Sequence, residues 1–581
     1  MKQFFKILLA CFSAFLLFFI FLAIFLFSFS LGSGDDSETV LKNSVLTLDL
    51  SEIMQEQGST NPLGFLSGQA TSTIGLNEVL KSIEDAKTNK DIKGIYIKLG
   101  LCQNGWASLH QVREALLDFK TSKKFVVAYG EICDQKSYYL ASAGTKIFMN
   151  PVGGLEFKGL AVNGTFYKGA IDKLEIKTEA FHCGKYKSAH EPYSMEKFSD
   201  ANREQLRNLI GDFYGEFLMA VSQKSGLDTA SLNQMANSGM VKFPNDALQH
   251  KMIDGVLFSD SVENYLRHEM ALNEKDKLHF ISPDSYYAAM DQDDHEDDKI
   301  AVLYADGAIY DGDSKDEIFS KRYTKIIRKI AKDDDIKAVV LRINSPGGSA
   351  LASEVLFHEL EELRKKKPVI ASMGNYAASG GYYLSCAADS IYADKNTLTG
   401  SIGVVGVLFN LTDMMKNKLG VTTDQVKTGP YADFPNMTRT MSDAERNWIQ
   451  SYLDSTYILF KKRVATSRRL TMDQVEELAQ GHVYSGKAAK DLKLIDAFGS
   501  LKNAISSASK KAGVKSYSIV EYPQNSDDLD DIMSSISGKK REEASMKRIL
   551  GDDYAMYQEI QKIKSRQNQI QMVMPWILDI K

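Results

Sequence analysis

Cysteine is scarce in this chain. Five residues in 581 (Cys11, Cys102, Cys133, Cys183 and Cys386) are odd in number and show no CxxC spacing. That excludes a disulfide framework and a zinc ribbon. A basic excess is also missing, since 70 Lys and Arg stand against 75 Asp and Glu for a formal charge of −5. With no surplus cations to neutralise phosphates, nucleic acid is excluded as the expected partner. Nor is the chain short of core-forming residues: 44% hydrophobic and 25% charged are globular values that leave out disorder and collagen. Its length suggests roughly three or four units of about 150 residues.

What the chain has first is an uncharged run. Lys2 and Lys6 precede residues 7–31, which carry no charge at all. A helix of this length spans a hydrocarbon core of roughly 30 Å, and it exceeds the 7–15 apolar residues typical of a cleaved signal peptide. Residues 28–34 are small enough to leave cleavage open. The lysines before the run and Asp35, Asp36 and Glu38 after it place the N-terminus in the cytoplasm. The expectation is a single-pass transmembrane anchor over residues 1–34 in the inner membrane, with the rest of the chain on the periplasmic side.

The remainder reads as a duplication. Shifted by 244 residues, Asp91, Ile92 and Lys93 fall on Asp335, Ile336 and Lys337, and the IYIKL run at 95–99 falls on VVLRI at 339–343. Gly130 falls on Gly374, Tyr138 and Tyr139 on Tyr382 and Tyr383, and Ile147 on Ile391. A repeat this long is not a solenoid, so it implies two tandem domains, 35–290 and 291–523. In the second copy a β-branched run at 336–343 meets a Gly-rich loop at 345–348 and a helical stretch at 352–364. An apolar run at 369–373, a small-residue helix at 377–388 and a short strand at 390–393 follow. Strands alternating with helices predict βαβ units and a largely parallel sheet, an α/β fold. The linker DQDDHEDDK at 291–299 has no EF-hand spacing and reads as a solvated acidic stretch. Residues 524–581 read as a polar linker and a helical tail that packs either on the body or on a membrane.

The two copies differ at polar positions. Where the second has Asn344, Ser345, Pro346, Gly347 and Gly348, the first has Gly100, Leu101, Cys102, Gln103 and Asn104. Paired glycines let backbone N–H groups approach a ligand, although an isolated SPGG is more often an ordinary turn. Where the second has Ala377, Ala378, Ser379, Gly380 and Gly381, the first has Cys133, Asp134, Gln135, Lys136 and Ser137. Ser379 lies between a strand and a helix, where free N–H groups favour developing negative charge; small residues there equally serve close packing. A nucleophilic serine needs a base. His358 and His482 have no acid at a suggestive spacing, and the first copy offers Lys185 and Lys187 in GKYKSA. A lysine serves only if a dry, apolar site holds it neutral, whereas two solvated lysines are the default for KxK.

Taken together, AASGGYY around Ser379, the SPGG loop, Thr399, Gly400, Ser401, Ile402 and Gly403, and GKYKSA resemble the signal peptide peptidase A (protease IV) family. Its long, tandem-domain members are serine–lysine peptidases of the Clp protease/crotonase superfamily, and the resemblance runs from the anchor to about residue 520. It implies two tandem crotonase-like βαβ superhelical domains, Ser379 as nucleophile and Lys187 as general base. Ser401, 22 residues after the serine, would orient the lysine, and Gly347 with Gly380 would form the oxyanion hole. No metal or organic cofactor is implied. The substrates implied are cleaved signal peptides in the membrane or periplasm, and the assembly a homotetramer forming a dome over the membrane. Two other function classes share the fold or its decay: a crotonase-type CoA thioester enzyme, which would use carboxylates, and a non-catalytic membrane scaffold.

Overall fold

The computed structural model describes Lys6, residues 12–13, 15–18, 20–21, 40–60, 72–273, 275–290, 296–315 and 317–524, Met546 and residues 571–574. Most of the uncharged run at 7–31, of the acidic stretch at 291–299 and of the tail beyond 524 lies outside the described residues. Among the described residues, no helix is long and apolar enough to cross a membrane.

The chain builds one α/β unit twice. Six parallel strands form the first sheet, in the order Gly255–Val256, Lys146–Leu155, Phe125–Cys133, Ile92–Lys98, Ser44–Asp49 and His279–Ile281. The second repeats it as Ala497–Phe498, Ser390–Ala393, Val369–Ala378, Ile336–Ser345, Lys299–Asp306 and Ser518–Tyr522, all parallel. It adds Leu398–Gly400, parallel to Val369–Ala378, and the antiparallel Val483–Ser485, for eight strands. Helices cover both faces, which is why these strands are apolar runs rather than alternating ones. In the second sheet the two-residue side-chain period divides the core. Ala301, Leu303, Val339, Leu341 and Met373 face one layer, while Ile300, Val302, Ala338, Val340 and Ile370 face the Leu501–Ala512 helix on the other.

The repeat is carried into contacts. Tyr138 donates its hydroxyl hydrogen to Met252 O at 2.7 Å, and Tyr382 donates to Leu494 O at 2.9 Å. The gapless shift of 244 nevertheless fails over one strand. Ile95 pairs with Val126, but Val339 pairs with Val369, so the strands match at 243 rather than 244. Val126 therefore shares its layer's face with Ala128, whereas Ile370 faces the opposite layer from Ala371. A one-residue slip exchanges the faces of a strand, and irregular pairing between Ile343 and Ser345 in the second copy accompanies the change.

A third, smaller sheet joins the copies. Its order is Ile318–Phe319, Ile309–Tyr310, Gly347–Ser349, Gln571–Val573, Val404–Asn410 and Lys177–Cys183. The last strand belongs to the first copy and pairs antiparallel along all of Val404–Asn410. Between the units, Arg342 Nε meets Glu56 Oε2 at 2.7 Å with both side chains buried, and the guanidinium also donates to Ser372 Oγ and Met373 O. A buried ion pair needs such extra partners to offset desolvation. Residues 571–573 are extended where the tail pattern predicts helix, because both of their edges are taken up by neighbouring strands.

Candidate active site

Ser379 ends the Val369–Ala378 strand and caps the Gly380–Ser385 helix. The helix is shorter than the predicted 377–388 because the backbone turns sharply at the serine, with φ 56° and ψ −111°. A non-glycine residue in such a conformation costs of order 1–3 kcal/mol and persists only where its surroundings hold it. Here Ser379 N–H donates to Gly400 O at 2.8 Å, and the serine carbonyl accepts from Tyr383 N–H at 2.8 Å.

Lys187 reaches this serine from the other copy. Its Nζ lies 2.8 Å from Ser379 Oγ, 2.9 Å from Ser401 Oγ and 2.9 Å from Ser401 O. The side chain is 1% exposed, and burial alone holds its pKa well below the ordinary lysine value. A neutral amine has one lone pair and two hydrogens. It can therefore accept from the serine hydroxyl while donating to both Ser401 oxygens. Lys185 does not share this place. The stretch is not extended: Gly184 has φ 105° and Lys187 has ψ 72°. Lys185 is exposed, with its Nζ 4.5 Å from the centre of the Tyr186 ring. Of the histidines, His358 is exposed on its helix, and the His482 ring stacks on Tyr484 and meets Tyr186 edge-on.

The segment carrying Lys187 is seated by contacts that the sequence did not announce. Tyr186 N–H donates to Gln480 O at 2.8 Å. Gln205 bridges the copies, donating to Tyr186 O at 3.1 Å and accepting from Val483 N–H at 3.2 Å. Gly481, at φ 75°, lies so close that a Cβ there would be 2.6 Å from Lys187 Cβ. Gly347, at φ 98°, and Gly380 lie against each other: a Cβ on Gly347 would be 2.7 Å from Gly380 N, and one on Gly380 would be 3.2 Å from Gly347 Cα. Gly347 N–H faces Ser345 Oγ at 3.2 Å. The structure thus brings together Ser379, Lys187, Ser401, Gly347 and Gly380, all buried.

The comparisons agree with a peptidase frame. The model of "Peptidase family S49" matches residues 118–273 and 361–515, one match in each copy. The chain belongs to peptidase family S49. "Protease 4" of Salmonella typhi is 35% identical over 88% of this chain and 85% of its own length. "Serine protease SPPA, chloroplastic" of Arabidopsis thaliana is 32% identical over 86% of this chain and 74% of its own. "Protease 4" of Haemophilus influenzae is 31% identical over 84% and 82%. The tandem α/β architecture and serine peptidase class expected from the sequence are those of this S49 family.

The first S49 unit is closed at the corresponding place. Gln135, at the position matching Ser379, is buried and donates to Gly159 O at 2.8 Å. Its amide oxygen accepts from Lys158 N–H at 3.2 Å and Gly159 N–H at 3.0 Å. The Asp134 carboxylate accepts Cys102 N–H and Ser137 N–H, both at 2.8 Å, so those backbone donors are already engaged. In the second S49 unit, the stretch near Thr428 and Pro430 that would match Lys187 is exposed.

Proposed function

We propose that this serine peptidase is a membrane-anchored endopeptidase in which Ser379 and Lys187 form a catalytic dyad that degrades remnant signal peptides. The single observation that carries the dyad is the 2.8 Å contact between the serine hydroxyl and a buried lysine whose pKa burial holds well below the ordinary value. Lys187 accepts the Ser379 proton as Oγ attacks the scissile carbonyl. The protonated lysine then gives that proton to the leaving amine, and a water deprotonated by Lys187 hydrolyses the acyl-enzyme. The Gly347 and Gly380 N–H groups hold the oxyanion, which displaces Ser345 Oγ from Gly347. Ser401 fixes the amine through its two oxygens.

The anchor at residues 1–34 places units 35–290 and 291–523 and the tail at 524–581 on the periplasmic side of the inner membrane, in a homotetramer. The uncharged run at 7–31 supports the anchor. The first sheet draws its strands from residues 44–281 and the second from 299–522, which supports the middle boundary. The test is peptide hydrolysis and fluorophosphonate labelling of wild type, Ser379→Ala and Lys187→Ala. Hydrolysis and labelling should vanish in Ser379→Ala, and turnover should vanish in Lys187→Ala. Hydrolysis that survives Ser379→Ala would refute the dyad.

A further inference from the structure

Gln135 closes the place of the serine in the first unit, but the recess beside it stays open. A cavity of ≈350 Å³ lies in the seam between the two units, within the roughly 300–1,000 Å³ of small-ligand sites. By the shift of 244, Gln103 and Asn104 on its wall are the counterparts of Gly347 and Gly348, and Lys136 is the counterpart of Gly380. The second unit contributes Asp306, Asn344 and Asn396.

Two groups on this wall lack a partner. Trp106 Nε1 and Asn396 Nδ2 are buried N–H donors with no acceptor, in side chains of residues 5% and 3% exposed. Buried donors are nearly always paired, so two orphans on one cavity wall point to acceptor atoms that enter it. Lys136 is half-buried and makes no ion pair among the described residues. Asp306 has the opposite need. It is open to the cavity with protein on most other sides, and that enclosure, followed by the nearby Glu56 carboxylate, pushes its carboxyl up to about 6. Arg342 is already paired with Glu56, and Asp306 accepts only a neutral side-chain donor, Asn344 Nδ2, at 2.9 Å. A cation is what this carboxylate lacks.

The cavity thus offers three nitrogen donors to an anion and one carboxylate to a cation, a match for a ligand that carries both charges. Hydrolysis of a peptide yields such molecules, since each short piece has a free ammonium and a free carboxylate. We propose that the seam cavity binds a short peptide with both termini free, its carboxylate on Trp106, Asn396 and Lys136 and its ammonium on Asp306. The source of the peptide rests on the serine peptidase class, whereas the binding does not depend on the dyad. One residue ties the site to the catalytic strands: Asn344 donates to Asp306 and accepts Tyr376 N–H at 3.1 Å. Asn344 lies three residues before Gly347, and Tyr376 three before Ser379.

Isothermal titration calorimetry on the full-length Ser379→Ala protein reads binding without turnover. Dialanine should bind saturably, and blocking either end, as N-acetyl-dialanine or dialanine amide, should weaken it about tenfold. Adding Asp306→Asn should weaken dialanine about tenfold yet leave N-acetyl-dialanine unchanged. Lys136→Met should weaken dialanine and leave dialanine amide unchanged. Trp106→Phe, which keeps a ring and loses the N–H, should weaken dialanine and N-acetyl-dialanine alike. The unaffected blocked ligand shows that each charge variant is folded. No binding of dialanine at millimolar concentration, or equal binding with and without Asp306→Asn and Lys136→Met, would overturn the proposal. Free alanine binding as tightly as dialanine would overturn the assignment to a peptide. Hydrolysis that survives Ser379→Ala would sink the dyad and leave these end-matched losses standing.

Discussion

Replacing Lys187 by Met separates two consequences of a buried neutral amine. Methionine keeps the length of the side chain and removes the amine that bonds Ser379 Oγ and both Ser401 oxygens. Turnover should fall about 10²–10⁴-fold, the usual contribution of a positioned general base. The stability effect is less obvious. Burial keeps the folded-state pKa of Lys187 well below the ordinary lysine value, while the unfolded chain holds the amine at about 10.4. Between those two values the unfolded state carries one more proton than the folded state. Folding stability therefore rises with pH, by about 1.4 kcal/mol per unit from this group alone. Below the depressed pKa both states are protonated and the full desolvation cost is felt; above about 10.4 the contribution is flat.

Lys187→Met abolishes this slope. The three lost hydrogen bonds, each about 0.5–1.5 kcal/mol, shift the offset between the proteins but leave the slope untouched. Wild type should thus gain on the variant by about 2 kcal/mol from pH 8 to pH 9.5. At roughly 2–4 °C per kcal/mol for a unit of 150–250 residues, that is about 4–8 °C in Tm. Thermal melts of the two proteins at both pH values measure it, and taking the difference cancels every other titrating group. Identical pH dependence in the two proteins would refute the claim that Lys187 is buried neutral.

The pH profile of kcat should rise as Lys187 loses its proton, because only the neutral amine accepts from Ser379, and stopped assays across pH 5–10 report it. Gly347→Val should lower turnover at least a hundredfold in a folded protein, since losing an oxyanion donor costs about 3–4 kcal/mol; near-normal turnover would make the loop a mere turn. Lys185→Ala should retain activity because its amine lies outside the site, whereas Gly481→Ala, forced against Lys187 Cβ at φ 75°, should slow turnover. A fragment from residue 298 onward should fold yet hydrolyse no peptide until the N-terminal unit is added, and the purified full chain should stay in the membrane with Met1 intact.

Much of this was legible in the residues. Strand and helix order in the second copy follows from apolar runs of 4–8 residues and the small-residue turns between them. Resemblance singled out Ser379 and the four residues that the structure gathers around it. The contacts that place Lys187 were not legible. A glycine at 481 is needed both for its positive φ and because a segment almost 300 residues away packs on it, and a single sequence carries no periodic trace of such a meeting. The pairing of Lys177–Cys183 with Val404–Asn410 is equally non-local. The three-residue strand at 571–573 is too short to show an alternation. The one-residue slip between the copies escaped the 244 shift because Phe125 and Val369 are interchangeable as apolar letters, although they face different layers.

A lysine and a serine 192 positions apart also impose an order in time. The ribosome delivers the lysine-bearing half first, at about 5–20 residues per second, so the serine follows roughly 10–40 s later. Throughout that interval the emerging half has Gln135 at the position where the second unit has Ser379. On the proposed dyad, the first unit alone is therefore harmless to other polypeptides. Hydrolysis by that dyad begins only once the second unit has folded around the first.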